Sequence, residues 1–280
     1  MTKRFRLGVI GDPVAHSLSP AMQQPAFDAL GIPAVYELWP TPAHELPARI
    51  MALRDPDVLG ASVTVPHKQA VMDYLDEVTP LARRAGAVNT VIHRDGQLTG
   101  DNTDIEGFAT SLIEACPNAR VRYALVLGAG GAARAVVLAL EALGLARIVV
   151  ANRSRERAQA LAADLEPAPI AVTSLDEREL LPELRRSSIL INATSLGWHP
   201  GESPVPLDWL GALPANALVV DLTYRDTDLL VAARERSLRT LDGLPMLVYQ
   251  GAKAFQLWTG REAPLAVMMK AARQARAARS

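Results

Sequence analysis

Val121-Arg122-Tyr123-Ala124-Leu125-Val126-Leu127-Gly128-Ala129-Gly130-Gly131-Ala132-Ala133-Arg134 is the stretch that decides the fold. It opens as an apolar run of strand length. The glycines then turn the chain into Ala135-Val136-Val137-Leu138-Ala139-Leu140-Glu141-Ala142-Leu143, a run of helix formers. Gly144 is a C-cap signal, and Arg147-Ile148-Val149-Val150-Ala151 reads as a second buried strand. Strand, Gly-x-Gly-x-x-Ala, helix and strand make a βαβ unit. In it Gly128 forms the tight turn, Gly130 lets a pyrophosphate approach the backbone, and Ala133 permits close helix–strand packing. The helix N-terminus offers its free N–H groups to the anion. Such glycines alone often make only a tight turn; the flanking strand and helix make dinucleotide binding the reading here.

The end of the second strand selects the dinucleotide. NAD-binding units place Asp or Glu there to accept from the ribose 2′-OH. This chain has Asn152-Arg153-Ser154-Arg155-Glu156-Arg157 instead. The missing carboxylate removes repulsion against a 2′-phosphate. Arg153 is placed to pair with that phosphate, with Arg157 one helical turn on. The alternative is an exposed, arginine-rich helix start. NADP is the expected cofactor.

Composition bounds the rest. A chain of 280 residues is long enough for two domains with real cores. A net charge of −1 and 5% aromatic residues supply neither a basic field nor stacking platforms for nucleic acid. Cys116 is the only cysteine, which excludes an intramolecular disulfide and a multi-thiolate zinc site and fits a reducing compartment. The apolar run Leu7 to Ile10 is too short for a signal peptide, and no segment approaches a membrane span. The expected compartment is the cytoplasm, with no nucleic-acid or membrane partner.

Taken in order, Leu7-Gly8-Val9-Ile10 is a strand, followed by a loop to Ser19-Pro20, where Ser19 reads as N-cap and Pro20 as N1. Ser17 and Ser19 are therefore either capping groups or ligand hydroxyls, and a helix N-terminus lined with hydroxyls also suits a carboxylate. Val35 to Trp39 is a second strand, followed by a helix around Leu46 to Leu53. Leu59 to Pro66 is a third strand whose period of two puts Ser62 and Thr64 on one face. Lys68 follows its carboxyl end, the place where ligands sit in open α/β sheets. Ala85-Gly86-Ala87-Val88-Asn89-Thr90 reads as an apolar strand bearing one amide, and Asp95-Gly96 as a hairpin turn. Asp104 opens a helix from Ile105 to about Ala115, where it is either an N-cap or a functional carboxylate.

Ile189-Leu190-Ile191 and Leu218 to Tyr224 are further buried strands with polar carboxyl ends, Asn192 to Gly197 and Asp221 to Tyr224, directed at the cofactor. In the helix from about Met246 to Thr259, Gln250 lies on the apolar face with Leu247, Gly251, Ala254 and Trp258. A buried amide needs partners, either nearby backbone or a ligand at a domain junction.

Seven separated motifs appear together and in order: Ala-His-Ser-Leu-Ser-Pro, Val-Thr-Val-Pro-His-Lys, Gly-Ala-Val-Asn-Thr, Gly-Asp-Asn-Thr-Asp, Gly-Ala-Gly-Gly-Ala, Asn-Arg-Ser and Asn-Ala-Thr-Ser. By them the chain resembles the shikimate dehydrogenase family from its first strand to its last helices. The resemblance implies an α/β protein of two domains. The first is an N-terminal α/β substrate domain with a mixed, mostly parallel sheet, residues 1–106 completed by 242–280. The second, 107–241, is a Rossmann-like NADP-binding domain, with the active site in the cleft.

By the same resemblance Lys68 and Asp104 are the catalytic pair, and Ser17 and Ser19 hold the substrate carboxylate. Thr64, Asn89 and Gln250 bind ring hydroxyls, and Tyr224 lies near the substrate. The residues expected on NADP are Gly128, Ala129, Gly130, Gly131, Ala132, Asn152, Arg153, Ser154, Arg157, Thr194, Leu222 and Gly243. Three departures stand out: Ser62 where the family commonly has Asn, Ile105-Glu106 in place of a glycine-led pair, and Arg225-Asp226 where a proline is common.

The implied reaction is the reversible NADPH-dependent reduction of 3-dehydroshikimate to shikimate, on the way to chorismate and the aromatic amino acids. The oxygen that gains charge needs an acid. The five histidines (16, 44, 67, 93, 199) lack metal-ligand spacing, so no metal is expected and Lys68 is the leading donor, with His67 its rival. A quinate-active enzyme is the nearest alternative, with discrimination in Ser17, Ser62 and Thr64. A silent NADP sensor is the alternative of another class, although no helix-turn-helix or basic output segment is present. The expected assembly is a monomer or homodimer.

Overall fold

The computed structural model describes residues 4–117 and 123–279. Val121 and Arg122 of the opening run therefore lie outside the described residues. The chain divides into two compact units, Met1–Gly107 with Leu247–Ser280, and Phe108–Met246.

The first unit begins with β1 (Phe5–Gly11), α1 (Ser19–Ala29), β2 (Ala34–Pro40), α2 (Leu46–Ala52) and β3 (Val58–Val63). It continues with β4 (Glu77–Val78), α3 (Pro80–Ala85), β5 (Thr90–Arg94) and β6 (Gln97–Asp101), and α4 (Asp104–Ala115) follows. The sheet order is β2-β1-β3-β5-β6-β4. β1, β2 and β3 are parallel, while β5 runs antiparallel to both β3 and β6. These directions gather the carboxyl ends of β1, β3 and β6 and the amino end of β5 at one edge. The loops after Gly11, Val63 and Asp101, and the one before Thr90, meet there. Because partner residues in register share a face, Tyr36, Leu7 and Gly60 point to one side, as do Leu38, Val9 and Ser62. On the opposite face Ile10, Trp39, Ala61 and Val63 form a core with Ile50, Leu53 and Val71.

Three local expectations are corrected. α1 starts at Ser19 itself, after Leu18, and no side chain at the cap position bonds the helix; Ser17 Oγ instead accepts from the Ser19 N–H at 3.2 Å. β3 ends at Val63, because the chain turns when the His67 N–H bonds the Thr64 carbonyl, and Val65 is 65% exposed. Ala85 to Asn89 is not strand. Thr79 caps α3, and Gly86, left-handed at φ 60°, closes it. The small apolar residues there are buried by a helix end rather than by a pleat.

The second unit carries β7 (Tyr123–Leu127), α5 (Gly131–Ala142), β8 (Arg147–Ala151), α6 (Arg155–Asp164), β9 (Ile170–Thr173), α7 (Glu177–Arg186), β10 (Ile189–Asn192), β11 (Leu218–Asp221), α8 (Asp228–Glu235) and β12 (Arg239–Leu241). Its sheet, β12-β11-β10-β7-β8-β9, is parallel at every pair. Read from β9, this is the doubly wound order, with its topological switch between β7 and β10. β11 stops at Asp221, short of Tyr224, because Asp221 folds its own carboxylate back onto the Thr223 N–H.

The last helices, α9 (Leu244–Thr259) and α10 (Leu265–Ala277), supply the rest of the first unit's cover. Trp258 of α9 is buried and donates from Nε1 to the Val91 carbonyl at 3.0 Å. Arg94 of β5 bonds the carbonyls of Leu257 and Trp258 at the carboxyl end of α9. α10 packs on α1, and Arg279 just beyond it donates to the His16 carbonyl at 2.7 Å.

Gly243 sets a packing limit in the second unit. A Cβ there would lie 2.0 Å from the Leu222 carbonyl oxygen, an atom fixed in backbone. We expect Gly243→Ala to lose about 1–3 kcal/mol of stability through overpacking, read from thermal or urea unfolding. An unchanged transition would show that this backbone yields.

Candidate active site

At the shared edge of the first sheet, Lys68 Nζ lies 2.6 Å from Asp104 Oδ2. The two side chains are 16% and 7% exposed, so the pair is drawn largely out of water yet still reachable. Asp104 is the first residue of α4 rather than its cap. Asn102 Oδ1 accepts its N–H at 3.2 Å, which frees the carboxylate for Lys68 and Asn89. An ammonium has three N–H donors. Among the described residues only Asp104 takes one from Lys68, which leaves the others for a ligand.

Asn89 is the hub. Its Nδ2 donates to Asp104 Oδ1 at 2.8 Å, to Thr103 Oγ1 at 3.0 Å and to Gln250 Oε1 at 3.3 Å. Its Oδ1 accepts from the Thr103 N–H and the Thr90 hydroxyl. Gln250 Nε2 turns back to the Leu247 carbonyl at 2.7 Å, so this amide is satisfied partly by local backbone and partly by the cluster. Gly107 makes the contact possible, since a Cβ there would lie 2.7 Å from Gln250 Cβ. Sequence reasoning missed Thr103, Asn102 and Gly107; the available signal was the Asn-Thr-Asp run itself, an Asx-type helix start.

Hydroxyls line the neighbouring loops. Ser17 and Thr64 are partly exposed, whereas Ser19 is buried. Gly11 holds Thr64 close, as a Cβ on it would lie 2.5 Å from Thr64 Cγ2. His67 is buried with Nε2 2.6 Å from the Thr41 carbonyl, which fixes that nitrogen as a donor and commits it to backbone.

Each unit stands as its own body, and Tyr224 belongs to the second, edge-on to Trp198 with ring centroids 4.9 Å apart. There too, Gly128 (φ 110°) presses against Ala193, a Cβ meeting the Ala193 oxygen at 2.9 Å, so the ends of β7 and β10 meet at the switch point. Beside it Gly130 precedes α5, and a Cβ on Gly130 would meet nothing within 4 Å. That open backbone at a helix N-terminus, continued by Gly131 and Ala132, fits a pyrophosphate. Ser154 caps α6 by accepting the Arg157 N–H at 3.3 Å, and Asn152 Nδ2 bonds the Ser154 carbonyl. Arg155 is held by Glu179, whereas Arg153 and Arg157 are exposed and have no ion pair among the described residues, which fits a 2′-phosphate.

Thr194 is spent internally, donating to Asn192 Oδ1 at 2.7 Å and accepting the Leu196 N–H. The Leu222 N–H bonds the Asn192 carbonyl, and the Gly243 N–H bonds that of Thr223. The buried Asp221 carboxylate ties these turns together through Asn192, Thr223 and Thr227.

Comparison with known proteins decides the family. Family models match residues 9–91 (shikimate dehydrogenase substrate binding domain), 111–198 (shikimate/quinate 5-dehydrogenase) and 243–273 (shikimate 5′-dehydrogenase C-terminal domain). The NADP-dependent shikimate dehydrogenase of Symbiobacterium thermophilum is 47% identical over 272 residues, covering 95% of this chain and 92% of its own length. The chain belongs to the shikimate dehydrogenase family. The Thermus thermophilus shikimate 5-dehydrogenase, solved with NADP(H) and shikimate, is 42% identical with a TM-score of 0.87, over 97% of this chain and 99% of that one. A quinate dehydrogenase from Corynebacterium glutamicum, solved with NAD, is 33% identical with a TM-score of 0.87, over 96% and 98%.

As a shikimate dehydrogenase family member, the chain fills its departures locally. Glu106 pairs with Lys253 at 3.0 Å, Arg225 bonds the Trp198 carbonyl, and Ser62 accepts from the Tyr36 hydroxyl at 2.8 Å.

The buried pair has a stability signature. Asp104→Ala leaves the Lys68 charge unpaired and is expected to cost about 3–5 kcal/mol in urea unfolding. The double variant Lys68→Met, Asp104→Leu should lose less while being inactive. Equal or larger loss in the double variant would show that packing, not charge pairing, dominates.

Proposed function

We propose that the chain is an NADP-dependent shikimate dehydrogenase. It reversibly reduces 3-dehydroshikimate to shikimate, on the route to chorismate and the aromatic amino acids. The observation that carries this reading is the Lys68–Asp104 pair, joined through Asn89 to Gln250, in a chain 47% identical to such an enzyme. The first unit holds the substrate and the second holds NADP, a division supported by the open backbone at Gly130 and the exposed Arg153 and Arg157. The protein acts in the cytoplasm as a monomer or homodimer.

When bound, NADPH supplies the hydride. Lys68 donates a proton to the substrate oxygen as negative charge develops on it. Asp104 holds the ammonium in place and accepts from a neighbouring ring hydroxyl. Asn89 keeps the Asp104 carboxylate turned toward Lys68, and Gln250 and Thr64 bind further ring hydroxyls. Ser17 and Ser19 bind the substrate carboxylate, and Tyr224 is a further substrate residue by the family pattern.

Quinate oxidation is the second reading, supported by the quinate dehydrogenase neighbour and by the short side chain of Ser62. Initial rates with shikimate and quinate, each with NADP and NAD, decide between them: shikimate with NADP is expected to be fastest. Lys68→Ala should lower kcat by about 10²–10⁴-fold with NADPH binding intact, and Lys68→Arg should stay impaired because arginine does not give up its proton. Arg153→Ala should weaken NADP binding by about 10- to 150-fold and narrow the preference over NAD. Turnover of Lys68→Ala within a few-fold of the parent would move the acid elsewhere.

A further inference from the structure

Trp198 lies in the loop between β10 and β11, and its ring meets that of Tyr224 with centroids 4.9 Å apart and planes at 78°. Both rings are half-buried, and both sit on turns rather than in a strand or helix. A phenol on a turn has several rotamers open to it, so a neighbour must select one. An edge-to-face aromatic contact does that, because it is favourable in one relative orientation of the rings. The loop that carries Trp198 is itself held at Leu196, Gly197, Trp198, His199 and Gly201. Asn192 Nδ2 bonds the Leu196 carbonyl at 3.1 Å. Glu202 Oε2 accepts from the Gly197 N–H at 3.0 Å and from the His199 N–H at 3.1 Å, on either side of Trp198. The His199 and Gly197 N–H groups hold the Glu202 carboxyl below the usual carboxylate range. Arg225 donates to the Trp198 carbonyl, and Asp228 Oδ2 accepts from the Gly201 N–H at 2.6 Å.

The placing of these bonds carries the argument. They converge on the backbone around Trp198, the residue of this loop whose ring reaches Tyr224. Arg225, next to Tyr224 in the chain, bonds the Trp198 carbonyl, so the two aromatic residues are tied once through their rings and once through adjoining backbone. The braced partner is Trp198, and the ring that takes its orientation from it is Tyr224. We infer that Trp198 is a positioning residue for Tyr224: its ring holds the Tyr224 side chain in the orientation that meets the substrate, and Glu202 and Arg225 hold the loop that presents it. This rests on the shikimate dehydrogenase reading, in which Tyr224 is a substrate residue. Trp198 touches neither substrate nor cofactor and acts through Tyr224.

The test is steady-state kinetics with shikimate and NADP on the parent, Trp198→Leu, Trp198→Phe, Tyr224→Ala and the double variant Trp198→Leu, Tyr224→Ala. Losing one edge-to-face contact should raise KM for shikimate by about 2- to 10-fold in Trp198→Leu, with KM for NADP within about twofold. Trp198→Phe keeps a ring and should restore most of the loss. Because Trp198 acts through Tyr224, the double variant should be no worse than Tyr224→Ala alone. A lower melting temperature of Trp198→Leu with an unchanged KM for shikimate overturns the inference, as does an additive double variant. An equal rise in KM for NADP overturns it too, since Trp198 would then serve the cofactor directly. Should Trp198→Leu not fold, Glu202→Ala decides: freeing the loop should raise KM for shikimate, and an unchanged value overturns the inference. A parent that fails to turn over shikimate sinks the functional reading and this inference together. A parent that turns over, with variants of unaltered KM, sinks this inference alone.

Discussion

The amide of Asn89 is the contact on which the first unit's chemistry depends. It is held in the loop before β5, yet it reaches the start of α4 and the middle of α9. Both ends of the amide are used. The nitrogen keeps the Asp104 carboxylate facing Lys68, and the oxygen fixes the backbone of Thr103, one residue earlier. A buried polar group left without a partner is costly, so the same bonds that satisfy Asn89 also hold the Asp104 carboxylate in one orientation. The sheet makes this possible. Only because β5 runs against β3 does its amino end arrive beside the loop that follows Val63 and carries Lys68.

The second unit solves a different problem with backbone rather than side chains. Its parallel order leaves strand ends facing one way, and the required closeness comes from residues that lack a Cβ. Gly128 lets β7 and β10 meet at the switch, and Gly243 lets the segment before α9 sit on Leu222. Asp221 then anchors both polar turns, so the edge where a dinucleotide is expected is braced by one buried carboxylate.

Much of this was legible in the residues. The β7–α5–β8 segment announces itself because glycines, apolar strand runs and helix formers all agree, and the boundaries of β8 follow directly. The doubly wound order could not be read, because parallel pairing is decided by distant contacts. The misreadings have physical causes. Ala85 to Asn89 looks apolar enough for a strand, but Gly86 is there to close α3. Ser19 before Pro20 looks like a cap, yet Ser17 does that work from two residues upstream. Lys68 and Asp104 were identified through their motifs, whereas their joint in Thr103 and Gly107 was hidden, because the Asn-Thr-Asp run signals a helix start but not which distant side chains those residues touch. Tyr36 was read as an ordinary strand residue, since pattern reports burial and not where a hydroxyl ends.

The return of α9 and α10 to the first sheet has a bearing on how the chain is made. A ribosome delivers β1 to β6 early, but the helices that bring Phe255 and Trp258 onto that sheet emerge after the whole of the second unit. The uninterrupted unit has everything it needs sooner than the one that began first. Until α9 arrives, the face bearing Leu7, Val9 and Tyr36 lacks part of its cover, so the segment made first is the one that keeps apolar surface exposed longest.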